Sequence, residues 1–349
     1  MKKRAVITGG AGFIGSNLAA RMIRDGWSLL LIDDLSRRGA AKNLRWLRTL
    51  GSFRFSRADV RDEAALGRAV RSFQPFSLCF HFASQVAVTV SIAEPRRDFE
   101  VNTLGSLNLL ETVRTLDFQP VLIYASANKV YGALSQFRVV EGKTRYTCPE
   151  LPLGVPETTR LDFHSPYGCS KGAADQYFID YARVYGMRTI VFRQSCVYGC
   201  RQFGSEDQGW VAWFMTAAVF GVPITVYGDG RQVRDLLFID DLLDAYMAAA
   251  RRIDRTAGSV YNIGGGVRRT LSLLELLEYL EKKLRRPIPH SFSDMRRGDQ
   301  KYFAADVRSA GRDFGWRPRV PLRTGLDIVL SWILKNRNEI KKVLQGKRS

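Results

Sequence analysis

Near the amino terminus an apolar run, Ala5-Val6-Ile7, meets a turn built on Gly9, Gly10, Gly12 and Gly15, and helical spacing follows over residues 16–25. A strand, a glycine turn and a helix in direct succession restrict this chain more than any other feature does. Glycines spaced GxxGxxG permit a tight turn and close backbone approach, and the amino terminus of the helix attracts a pyrophosphate. A second apolar run, residues 28–32, ends in Asp33-Asp34 about twenty residues beyond the turn, where a carboxylate can bind a ribose diol. Asp33 points to NAD over NADP, while Arg37 and Arg38 just behind it leave a 2′-phosphate open.

Strand-like runs recur at residues 53–55, 78–82, 120–124 and 188–193, with helical spacing between them, as over 99–116. Alternation of this kind predicts a parallel, doubly wound α/β sheet, whose ligands sit beyond the carboxyl ends of the strands. Gly9, His81, Ser126 and Ala127 all fall at such ends. Residues 138–162, carrying Pro149, Pro152, Gly154 and Pro156, read as a long loop near the mouth. After Ser195 the pattern loosens into an aromatic helix at 208–220, strands at 224–226 and 260–263, and helices at 271–284 and 322–344. The expected architecture is a Rossmann-type NAD-binding domain over residues 1–194 and a smaller, mostly carboxyl-terminal α/β substrate domain over 195–349. A segment near 230–263 is expected to return to the first domain.

Residues 161–185 hold the second constraint. Ser165 suits a helix N-cap and Pro166 its first turn, which puts Tyr167 and Lys171 one turn apart on one face. An ammonium beside a phenol favours the phenolate, so Tyr167 is expected to titrate low enough to shuttle a proton. By itself Tyr-x-x-x-Lys is a common helical pair, and it gains meaning from the strand ends that share its crevice.

The net charge of +19, from 53 Lys and Arg against 34 Asp and Glu, favours anionic partners. The basic runs are dispersed (Arg251-Arg252, Lys282-Lys283, Arg285-Arg286, Lys341-Lys342), which reads as a solvated basic surface ahead of a nucleic-acid site. Five scattered cysteines and three histidines offer neither a metal site nor a disulfide framework. Met1-Lys2-Lys3-Arg4 begins like a signal peptide, but the apolar run stops at Thr8-Gly9, and no stretch reaches membrane-spanning length. A cytoplasmic protein is expected.

The glycine turn with Asp33, then Asp59, His81-x-Ala83, Asn102 and Tyr167-x-x-x-Lys171, resembles the extended short-chain dehydrogenase/reductases that act on nucleotide sugars. The resemblance covers essentially the whole chain. Narrower stretches, among them Asn128-Lys129-Val130-Tyr131-Gly132, Arg201-Gln202-Phe203 and Gly230-Arg231-Gln232-Val233-Arg234-Asp235, are similar to the CDP-tyvelose (CDP-paratose) 2-epimerase branch. That resemblance implies transient oxidation of C2 of a CDP-linked hexose by NAD, return of the hydride to the other face, and no metal. It makes Tyr167 the base and Lys171 the group that binds the nicotinamide ribose. It assigns cofactor contacts to Gly9, Gly12, Phe13, Ile14, Gly15, Asp33, Asp59, Val60, Ala83, Gln85, Asn102, Tyr167 and Lys171. Taken singly, Asp59 reads as a helix N-cap and Asn102 as a helix-surface amide. Arg234 and Arg296 become diphosphate ligands, and Asn128, Lys129, Gln202, Phe203 and Trp210 line the sugar-nucleotide pocket. Trp213 reads as core. A homodimer or homotetramer is implied.

The pattern breaks at one place. The resembled enzymes usually carry a Ser or Thr five residues before the Gly of Val-Tyr-Gly, and here that position is Ala127. Losing such a donor costs roughly 2–4 kcal/mol of transition-state stabilisation. Ser126 is the nearest hydroxyl, although adjacent strand residues face opposite sides. Dehydratases of the family place Asp-Glu next, where this chain has Asn128-Lys129, so elimination lacks its carboxyls. A nucleotide-sugar 4-epimerase, and a non-catalytic relative binding RNA through its positive surface, are the competing readings.

Overall fold

The computed structural model describes residues 3–345, so Met1 and Lys2 of the basic start lie outside it. Seven parallel strands form the main sheet, in the spatial order Ser259–Ile263, Thr189–Gln194, Val121–Ala127, Leu78–His81, Arg4–Thr8, Ser28–Ile32 and Arg54–Ser56. Alternate side chains of these strands enter two different cores. Ala5, Ile7, Leu29, Leu31, Phe80, Ile123 and Phe192 pack on one face with the helices Phe13–Arg24 and Ile239–Arg251. Val6, Leu30, Ile32, Cys79, Leu122, Tyr124 and Val191 pack on the other with Glu63–Arg71, Gly105–Arg114 and Pro166–Tyr185. Strands apolar on both sides are what a sheet covered by helices on both faces requires.

Beyond the main sheet, Val233–Phe238 pairs with Cys196–Tyr198, Thr270–Ser272 and Tyr302–Phe303, and Ile224–Tyr227 pairs with His290–Ser293. The chain then returns, and Ser259–Ile263 lies beside Thr189–Gln194 in parallel register.

Several local expectations change. The helix expected over 99–116 is split into Pro95–Phe99, a π-helical turn Glu100–Leu104 and Gly105–Arg114. A Cβ on Gly105 would lie 2.6 Å from Val60 Cγ2, so this helix approaches the 59–61 turn closely. Ser272 and Glu275 form a capping box that starts the helix Leu273–Leu284, after a strand at Thr270–Ser272. The helix expected over 322–344 breaks at Asn336, whose amide bonds back to the Trp332 carbonyl at 2.8 Å. The 138–162 loop contains a small hairpin, Val140–Glu141 with Tyr146–Thr147. Finally, the strand expected over 120–124 runs on to Ala127.

Candidate active site

Gly9 follows the first strand at φ +66°, and a Cβ there would lie 2.6 Å from the Ala83 amide nitrogen. A Cβ on Gly15 would lie 2.2 Å from the Gly9 carbonyl oxygen. Only glycine allows both approaches. Gly12 begins the helix Phe13–Arg24 without a side-chain cap, which leaves the Phe13, Ile14 and Gly15 end of the helix to a ligand. Asp33 stands buried at the end of the next strand, its two oxygens accepting from the Ala11 N–H (2.9 Å) and the Leu35 N–H (2.8 Å). Burial pushes its carboxyl up, and those N–H groups partly offset the push. Arg38 donates to the Val343 and Leu344 carbonyls and Arg37 to Gln208, so neither guanidinium is held ready for a ribose phosphate. A glycine cradle, an uncapped helix start and a carboxylate at the ribose position fit NAD.

Asp59 does not cap a helix; Asp62 does, accepting the Ala65 N–H at 2.8 Å. Asp59 instead binds Arg61 through both oxygens, and although burial opposes it, Arg61 holds the carboxyl below its usual range. Val60 is buried beside Gly105. Ala83 donates its N–H to Thr8 Oγ1 at 3.3 Å. Asn102 is a buried amide rather than a surface one, and its side chain is fully engaged with Ser84, Gln85, Asp98 and Ser170. The Gln85 side chain is likewise committed, to Asp98 and to the Ala87 backbone. Both side chains shape the 84–87 loop and point none of these bonds into the crevice.

The helix Pro166–Tyr185 starts as its sequence implies, with Ser165 Oγ accepting the Gly168 N–H and Pro166 in the first turn. Ser91 Oγ accepts the Tyr167 N–H at 3.1 Å, tying this helix start to the Val88–Ala93 turn. Lys171 Nζ donates to the Ala125 carbonyl (2.5 Å) and Ser84 Oγ (3.3 Å) and lies 4.4 Å from the Tyr124 ring centroid. Burial brings Lys171 down to about 7, while Asp98 and Asp175 pull the other way. The expected lowering of Tyr167 is not found. Burial raises its phenol, Asp98 adds to the rise, and only Arg37 opposes it. His81 is a neutral core group between Thr8 Oγ1 and Ser106 Oγ, not a base.

Ser126 corrects another expectation. Its hydroxyl donates to Asp175 Oδ2 at 2.8 Å, within a buried ion pair in which Arg193 meets both Asp175 oxygens at 2.9 Å. Ala127 has no hydroxyl, so the end of this strand offers none to the crevice.

On the opposite wall, Lys129 Nζ donates to the Gly298 carbonyl (3.0 Å) and to Asp299 Oδ1 (3.2 Å). The same oxygen accepts from Arg234 Nη2 at 2.5 Å. Burial works against the Asp299 carboxylate, but Arg234 and Lys129 together hold it well below the usual range. Asp299 was not marked by any sequence signal; it lies in an irregular stretch between two short strands. Asn128 reaches Gln300 Oε1 at 3.3 Å. Arg296 stacks 3.8 Å from the Tyr227 ring centroid and binds the Glu206 carbonyl. Trp210 donates to Cys196 Sγ and packs on Phe214. Gln202 is buried with Oε1 unpartnered, and Trp213 Nε1 is likewise buried and unpartnered, although the Trp213 ring packs on the core as expected. Phe203 departs from expectation: it fills the space over Gly39 and meets Trp332 edge-on at 5.8 Å, in the packing between segments.

Among the described residues no three His, Cys, Asp or Glu side chains gather to hold a metal ion, and no helix is long and apolar enough to cross a membrane. Of the basic runs, Lys282 pairs with Glu278, Lys283 with Asp327, and Arg286 with the Ala218 and Val219 carbonyls.

Comparison with known proteins agrees with this geometry. The chain is 46% identical to the CDP-paratose 2-epimerase of Salmonella typhi over 94% of its own length and 98% of that protein. It is 32% identical to the UDP-glucose 4-epimerase of Mycolicibacterium smegmatis over 93% of this chain and 96% of the other. The structure of the Thermus thermophilus UDP-glucose 4-epimerase in complex with NAD superposes with a TM-score of 0.78 at 30% identity, covering 95% of this chain and 99% of that one. Residues 5–264 match the NAD dependent epimerase/dehydratase family, and the chain belongs to that family.

Proposed function

We propose that this protein inverts C2 of a CDP-linked hexose, converting CDP-paratose to CDP-tyvelose or acting on the CDP-glucose/CDP-mannose pair. The observation that carries the reading is the full-length similarity to a CDP-paratose 2-epimerase joined to the packing of Gly9 against Ala83 and the bond of Lys171 to the adjoining Ser84. Bound NAD supplies reversible acceptance of the C2 hydride. Tyr167 takes the proton of the C2 hydroxyl and returns it to the resulting 2-keto oxygen. Lys171 sits one turn away as the buried cation that holds the ribose and favours the phenolate once a ligand seals the site. Gly9, Gly12 and the Phe13–Gly15 helix start hold the pyrophosphate, Asp33 the adenosine ribose, and Asp59, Val60, Ala83 and the Gln85 backbone complete the wall. Arg234, Lys129 and Arg296 bind the diphosphate side of the substrate, with Asn128, Gln202 and Trp210 around it. Asn128-Lys129 in place of two carboxyls favours epimerisation over elimination.

A homodimer also belongs to this reading. Phe99, Leu104, Tyr177, Val184 and Tyr185 are exposed on three neighbouring helical segments, an apolar stripe that a second copy covers about a two-fold axis. The five free cysteines fit a reducing, cytoplasmic setting.

Proton NMR of CDP-paratose and CDP-glucose incubated with the protein in D2O tests the function. Inversion at C2 without deuterium there is expected. Deuterium at C2 means proton abstraction and overturns hydride return, and inversion at C4 replaces the reading with a 4-epimerase.

A further inference from the structure

Among the described residues no carboxylate lies within ion-pair reach of the buried ammonium of Lys171, and what lies around it decides how it stays charged. Four groups face it. Asp175 comes from its own helix, Tyr124 from Val121–Ala127, His81 from Leu78–His81, and Asp98 from Pro95–Phe99. Asp175 is neutralised by Arg193, which meets both its oxygens. His81 is neutral, its ring held between Thr8 and Ser106. Tyr124 offers only its ring, and burial raises the Tyr167 phenol one turn earlier on the helix. That leaves Asp98.

Asp98 is 0% exposed, and no cation is paired with it among the described residues. Neutral donors satisfy it: Ser170 Oγ at 2.5 Å, Gln85 Nε2 at 2.7 Å and Asn102 Nδ2 at 3.2 Å. From there a single chain of hydrogen bonds leads to the ammonium. Asn102 Oδ1 accepts from Ser84 Oγ at 2.7 Å, and Ser84 Oγ accepts from Lys171 Nζ at 3.3 Å. Every donor in the chain points away from Lys171 and toward Asp98, the polarity that an ammonium at one end and a carboxylate at the other impose. The π-helical turn Glu100–Leu104 places Asn102 in this chain, and such turns are frequent at functional sites.

We propose that Asp98 is the counter-charge of Lys171: a positioning residue that acts through Asn102 and Ser84 to hold the ammonium charged at the end of Val121–Ala127. The inference rests on the epimerase reading for the role of Lys171, but the charge relation itself does not.

Asp98→Asn keeps the shape and removes the charge. Without it, Lys171 loses its proton at lower pH and Tyr167 ionises at lower pH. Both limbs of the pH profile of kcat are therefore expected to move toward acid, by about one pH unit. A merely structural role lowers the height of the profile and leaves its position. Independently of any substrate, the rate of Lys171 acetylation by acetic anhydride is followed against pH by peptide mass spectrometry, and its midpoint is expected to fall by about one unit in the variant. If Asp98→Asn does not fold, Ser84→Ala, which leaves Asp98 with its three donors but cuts the chain at Lys171, is expected to move the same midpoint in the same direction by less. A midpoint that stays put in the folded variant overturns the proposal. A wild-type protein without epimerase activity overturns the functional reading alone, because the acetylation midpoint still reports on Asp98.

Discussion

Ala127 stands where a hydroxyl donor is expected, and the rate is predicted to turn on it. The strand end carries no hydroxyl for the crevice, since Ser126 has donated its own to Asp175. Restoring one with Ala127→Ser is expected to raise kcat by roughly 100–1000-fold, the worth of a single positioned donor to a developing oxyanion. Steady-state kinetics on the CDP-hexose checks it, and an unchanged kcat would show that another group already fills that place. His81 gives a second prediction, in pH. Burial, with the Lys171 charge added, takes its imidazole down from 6.5 to about 3. A depressed folded value means that the unfolded chain binds the proton first, so this contribution to stability is complete above pH 6.5 and is lost as pH falls toward 3. Between pH 6 and pH 4 the wild type should lose about 1.4 kcal/mol per pH unit more than His81→Asn does. Urea denaturation of both proteins at pH 4, 5 and 6 measures the difference.

At the scale of elements, the helix Pro166–Tyr185 holds the site together because its inward face is polar and paired. Tyr167, Lys171 and Asp175 follow one another at four-residue spacing, and Asp175 locks the helix to the strand Thr189–Gln194 through Arg193. The pair is almost wholly buried, with side chains 5% and 0% exposed. Removing one member leaves the other charge buried alone, so Asp175→Asn is expected to cost about 3–5 kcal/mol of stability. Chemical denaturation at pH 7 checks this, and a loss below about 1 kcal/mol would mean that water or Glu157 takes over the guanidinium. The start of this helix was legible from Ser165 and Pro166, because caps act within one turn. The split of the preceding helix at Glu100–Leu104 was not, because it serves Asn102 and Gly105, whose partners are Gln85, Ser84, Ser170 and Val60 from other segments.

For the whole molecule, the 294–300 stretch is tied to the segment that follows Val121–Ala127, where Asp299 joins Lys129 and Arg234. On the outside, Tyr177 and Val184 are 43% and 59% exposed on the helix that carries Tyr167. Tyr177→Glu with Val184→Glu puts charge into that apolar stripe and is expected to turn a dimer into a monomer, with the protein still folded. Size-exclusion chromatography with light scattering, alongside far-UV circular dichroism, decides the matter; a protein that is monomeric before mutation removes the dimer.

The alternation of strands and helices, the glycine turn with Asp33, and the Tyr167–Lys171 pair were readable from the sequence because each depends on residues close together or on a simple period. Asp33 was placed by its distance from the turn, and the sheet by apolar runs that face two cores. The tertiary structure alone decided which candidates share a crevice. It turned Phe203 onto Gly39 and Trp332, sent Ser126 to Asp175, and brought in Asp98 and Asp299, which no motif marked. It also reversed the expected state of Tyr167. A neighbouring ammonium can be counted along a helix, but burial is summed over segments far apart in the chain, and here burial, with Asp98 added, raises the phenol against Arg37 alone.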